Sequence, residues 1–158
     1  MSVPEQAWKR RVEALLGVAA SIILLAMMVL TTVDVVARYV FNRPLRGAFE
    51  VTELLLVVLI FGGLPLVSHA GEHVTMDFID KLLGRHRSLW QRAIQALCAA
   101  IMFLLTWLIW LKANRITGYG DATDVLRIAY GPFVYFMAVM IALAGLIHLY
   151  KAFEWQKD

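Results

Sequence analysis

The chain has 158 residues, of which 61% are hydrophobic and only 17% charged. With a mean hydropathy of +0.70, it carries more apolar surface than one small core can hide, so lipid must be part of its solvent. That excludes soluble enzymes and nucleic-acid-binding domains. The net charge of +3 then reads as loop and head-group chemistry, and a single cysteine, Cys98, leaves no internal disulfide.

Crossing about 30 Å of hydrocarbon takes about 20 apolar residues at 1.5 Å each. Four uncharged runs qualify: Leu15 to Val33, Leu54 to Gly71, Ala93 to Leu111 and Ile128 to Tyr150. With their flanks, these predict helices over about 12–37, 48–70, 90–113 and 128–151 of one membrane domain spanning 1–158. Helices are required because lipid offers no partner to a free backbone N–H or C=O, and the runs lack the alternation of barrel strands. The first run follows Lys9-Arg10-Arg11 like a signal peptide, but its apolar stretch is too long and no small-residue cleavage site follows, so a retained anchor is expected.

The first helix closes with Asp34-Val-Val-Ala-Arg38-Tyr-Val-Phe-Asn42-Arg-Pro44. Asp34 and Arg38 are four apart and share a helix face. Asn42, followed one residue later by Pro44, is a stop signal, because the residue before proline avoids helical angles. The second helix is expected to start near Gly47. Glu50 and Glu53 lie near its positive end, with Arg38, Arg43 and Arg46 as the expected partners across the turn. Two readings stand for this cluster: a docking surface for a partner subunit, or an ordinary capped interfacial turn.

Within the second span, Pro65 removes the hydrogen bond to the Phe61 carbonyl and is expected to kink the helix. In the following loop, Val74, Phe78 and Leu82 recur every four residues, with Asp77, Asp80 and Lys81 beside or opposite them. This predicts a short amphipathic helix lying in the membrane surface and ended by Gly84.

Four spans put both termini on one side. The termini and second loop hold nine basic residues against six in the first and third loops, so the termini are expected in the cytoplasm.

No Asp, Glu, Lys or Arg lies mid-membrane in any span. Ion-coupled transporters that work alone need such groups or broken helices near the midplane. Small four-span exporters rely on a carboxylate inside their first span, which this chain lacks. A haem subunit would need paired histidines on facing helices, and His69 and His148 end spans two and four at the same membrane side. A haem or quinone anchor subunit of an oxidoreductase is therefore the alternative function.

Three segments together resemble one known family: Arg38-Tyr-Val-Phe-Asn42-Arg-Pro44-Leu45, Glu50-Val-Thr-Glu53-Leu-Leu-Leu56, and Gly71-Glu-His73-Val-Thr-Met-Asp77. In order and spacing they are similar to the small, DctQ-like membrane subunit of TRAP (tripartite ATP-independent periplasmic) transporters, and the likeness covers nearly the whole chain. It implies an all-α inner-membrane protein of four transmembrane helices with no catalytic residue, metal or cofactor of its own. Its partners would be a large membrane subunit that holds sodium and substrate, a periplasmic solute-binding protein, and membrane lipids. The role implied is a scaffold in sodium symport of an organic acid or related solute. Asp34, Arg38, Asn42, Pro44, Glu50, Glu53, Gly71, His73 and Asp77 are the candidate structural or partner-docking residues.

Overall fold

A computed structural model describes the backbone at residues 3–70 and 87–154, and these residues form four helices. They are α1 (Val3–Val40), α2 (Ala48–Ala70), α3 (Arg87–Tyr119) and α4 (Gly131–Glu154). Each contains a stretch long and apolar enough to cross a membrane: Ala14–Val40, Ala48–Pro65, Ala93–Tyr119 and Gly131–Lys151. The expected surface helix, with Gly71, His73 and Asp77, lies outside the described residues.

Packing follows the order α1, α2, α4, α3, so α2 and α4 are the inner helices. Small residues let α3 and α4 approach. Ala99 and Ala113 on α3 and Ala138, Ile141 and Ala144 on α4 are buried. A Cβ added to Gly145 would stand 3.1 Å from Met102 Cβ. Lipid gives helices no hydrophobic reason to associate, so such close backbone contact is what holds them. By contrast, no residue from Ala14 to Val40 on α1 is buried.

Helix ends follow local chemistry. Asn42, at φ 53°, takes the left-handed position just past α1. There the Phe41 and Arg43 amides both return to the Ala37 carbonyl. α3 runs six residues beyond the expected end at 113, because Ala113 is fully buried and packing continues past the lipid-soluble run. It stops in a Schellman motif: Gly120 (φ 69°) donates to Thr117 and Asp121 donates to Ile116.

α4 begins at Gly131, three residues later than the apolar run suggests. Ile128, Ala129 and Tyr130 belong instead to a small loop closed by an antiparallel bridge between Ala122 and Ala129. Pro132 then occupies the first turn of α4, where its missing N–H costs nothing. α2 continues through Pro65 to Ala70.

Gly145→Leu should therefore push α3 from α4 and destabilise the fold by about 1–3 kcal/mol. Gly17→Leu on α1, where nothing lies within 4 Å, should leave the thermal midpoint of the purified protein unchanged.

Candidate functional site

Among the described residues, those with left-handed backbone angles gather at one end of the bundle, where the α1–α2 turn meets the loop between α3 and α4. Asp34 is the hub of the turn. One carboxylate oxygen accepts from the Arg38 guanidinium at 2.8 Å, and the other accepts from the Leu45 amide at 2.8 Å. The first contact is the expected four-residue pair, with Asp34 15% and Arg38 60% exposed. The second crosses eleven residues and ties the chain just beyond Pro44 back onto α1. One carboxylate thus fixes how α1 turns into α2.

Glu50 is the second hub, and its partners are not the expected arginines. It sits in the first turn of α2, only 9% exposed. Its two oxygens accept from the amides of Val125 and Leu126, at 2.7 and 2.9 Å. The Thr123 hydroxyl and the Asp124 amide stand beside the same carboxylate. Successive backbone N–H groups in a turn form a concavity suited to an anion, and Glu50 fills it. Arg38 pairs instead with Asp34 on its own helix.

The loop is folded to present those amides. Thr123, 1% exposed, is its core. Its N–H donates to the Ile128 carbonyl, its carbonyl accepts from Arg127, and its hydroxyl accepts from Ile128. Arg127 is held at φ 56° to close the turn, and the Tyr130 amide donates to the Asp121 carbonyl. The Tyr130 phenol is pushed above its ordinary pKa, first by withdrawal from water, then by the carboxylates of Glu53, Asp124 and Glu50.

Gly47 completes the contact. Its φ is +85°, and a Cβ there would lie 2.5 Å from Leu126 Cγ. Only glycine fits both the backbone angle and the side chain packed on it. Its carbonyl accepts the first helical bond of α2, from Val51.

At the opposite end of α2, Lys151 plays the matching part. Sequence places it as a charge in the C-terminal tail. In the structure it lies inside α4, 7% exposed, and its ammonium donates to the Ser68 carbonyl at 2.7 Å. A cation on the carbonyls that end a helix complements the dipole. α2 is therefore fastened to the α3–α4 half at both ends.

The membrane interior offers little chemistry. The hydroxyls of Ser21, Thr31, Thr32, Thr52 and Thr106 each donate to a carbonyl four residues back on their own helix. None is turned toward a shared site. Tyr135 donates to Asn114 across α3 and α4 at 2.6 Å and meets Trp110 edge to face at 5.1 Å. His148 Nδ1 lies 2.7 Å from Gln95 Oε1. Among the described residues no group of three or more metal-ligating side chains converges.

Of the nine candidate residues, Asp34 and Arg38 meet within the turn in which Asn42 and Pro44 lie, and Glu50 bonds separately to the 121–130 loop. Glu53 is exposed one turn further along α2. Gly71, His73 and Asp77 fall outside the described residues. Sequence reading missed Gly47, Thr123 and Lys151.

The geometry predicts a coupled pair. Gly47→Ala should cost about 1–2 kcal/mol from its left-handed angle alone, and more from the clash with Leu126. Adding Leu126→Ala should recover the clash but not the angle, a non-additivity measurable as thermal unfolding of the two single variants and the double.

Comparison with protein families places the chain. The model of the DctQ component of tripartite ATP-independent periplasmic transporters fits residues 27–158. Comparisons with curated proteins and with solved structures returned no match.

Proposed function

Since the chain belongs to the DctQ family of tripartite ATP-independent periplasmic transporters, we propose that it is the scaffold on which the large subunit of a sodium-coupled importer stands. The observation that carries this reading is the composition of the spans. Their middles hold no Asp, Glu, Lys or Arg, and their hydroxyls are bonded within their own helices. A sodium or solute site near the midplane needs oxygen ligands or charges that these helices do not offer. The ion and an organic acid or related solute would then be bound by the large subunit, with delivery by the periplasmic binding protein. The alternative of a haem or quinone anchor gains no support from the family assignment.

In this reading the protein lies in the bacterial inner membrane with both termini in the cytoplasm. The Asn42 turn and the 121–130 loop then face the periplasm. Cysteine introduced at Asn42 should react with an impermeant label in intact cells, in a Cys98→Ala background, while cysteine at Arg87 should react only after lysis. Labelling at Arg87 from outside would reverse the topology.

The turn held by Asp34 is the proposed docking surface for the large subunit. Arg38 is mostly exposed, so its ion pair contributes only about 0–1 kcal/mol to folding. Arg38→Ala should thus leave thermal stability nearly unchanged yet reduce co-purification with the large subunit, and Arg46→Ala should do neither. Equal assembly of both variants would remove the turn from the interface.

The proposal as a whole is tested in liposomes containing the large subunit and the binding protein, with and without this chain. Sodium-driven uptake should fall to background without it. Full uptake in its absence would contradict the scaffold role.

A further inference from the structure

A groove of about 470 Å³ opens along α3 near its C-terminal end. Its lining runs along the helix from Leu108 and Leu111 through Lys112, Arg115 and Ile116 to Tyr119 and, just past the helix, Asp121. The sequence places this order at a particular depth. The uncharged run from Ala93 to Leu111 covers about 28 Å as a helix, close to the thickness of the hydrocarbon core. Lys112 therefore stands where acyl chains give way to head groups, and Arg115 about one turn further out. Trp107, Trp110 and Tyr119 are 63, 45 and 78% exposed on the same stretch, as aromatic side chains at a membrane interface are.

Lys112, Arg115 and Asp121 are all exposed, and none of them forms an ion pair among the described residues. Two cations beside lipid-facing leucines attract a phosphate at that depth. The carboxylate further out reverses the sign of the groove at its rim. An anionic headgroup with no cation would meet Asp121 unfavourably. A quaternary ammonium could not donate a hydrogen bond to it. A phosphodiester followed by a primary ammonium satisfies all three charges in the order in which they occur.

We propose that this groove binds a phospholipid with a phosphoethanolamine headgroup. Its acyl chains lie on Leu108 and Leu111, its phosphate between Lys112 and Arg115, and its ammonium against Asp121. The site uses none of the side chains of the Asp34 turn or of the Glu50 contact, and it needs neither sodium nor solute.

The test uses the full chain in nanodiscs of mixed phosphatidylethanolamine, phosphatidylglycerol and phosphatidylcholine, with retained lipid identified by native mass spectrometry. The unmodified chain should retain phosphatidylethanolamine above the other two. Lys112→Gln with Arg115→Gln should abolish that retention, leaving phosphatidylethanolamine no more abundant than phosphatidylcholine. Asp121→Asn should keep phospholipid but lose the preference for phosphatidylethanolamine over phosphatidylglycerol. Arg43→Gln with Arg46→Gln, outside the groove, should change nothing. These side chains are exposed, so the variants should keep the helical circular dichroism of the parent. In cells, a photo-crosslinking residue at Leu108 should yield lipid adducts. The proposal is overturned by retention without headgroup preference, by a preference for phosphatidylglycerol, by a preference that survives loss of both cations, or by adducts with protein alone.

Discussion

Everything at the polar end of this protein depends on where the Glu50 carboxylate finds its hydrogen bonds. A charged group near lipid is tolerated only when it is paired or reaches water. Glu50 meets that condition through the Val125 and Leu126 amides, seventy-five and seventy-six residues away. Those amides are themselves unpaired donors of a tight loop, so one contact answers both needs. It also fixes α2, which carries the acid, against the connection into α4, which carries the amides. Gly47 allows the approach, because any side chain there would meet Leu126.

The contact at the far end of α2 makes the arrangement rigid. Lys151 on the Ser68 carbonyl and Glu50 on the loop amides hold α2 to α4 and to the loop that leads into it, about one membrane thickness apart. Between them, small residues bring α3 against α4. α1 packs on α2, is joined to it by the turn that Asp34 organises, and exposes its apolar length to the surroundings. Such outward apolar faces are what helices long enough to cross a membrane present to lipid.

Much of this was legible in the sequence, and the reasons differ by feature. Four spans could be read because lipid imposes a length and an absence of charge on each. The Asp34–Arg38 pair could be read because helical spacing alone brings residues four apart together. The partner of Glu50 could not, since charge counting favours nearby arginines over neutral amides far along the chain. Lys151 looked like a tail charge because nothing local shows that a carbonyl of α2 lies beside it. The start of α4 was misplaced because Ile128-Ala129-Tyr130 prolongs an apolar run. Hydrogen bonds to Thr123, rather than lipid, decide the conformation of Ile128. A buried threonine beside a left-handed arginine was the one local sign of a built loop, and neither is visible as a pattern.

The central claim is that Glu50 holds the 121–130 loop onto α2. It is tested most directly by the distance between spin labels on cysteines at Arg46 and Arg127, in a Cys98→Ala background, by pulsed electron paramagnetic resonance. The account predicts a single narrow distance distribution that broadens when Glu50→Gln is added and stays narrow with Glu53→Gln. A broad distribution in the parent, or one indifferent to Glu50→Gln, would contradict it.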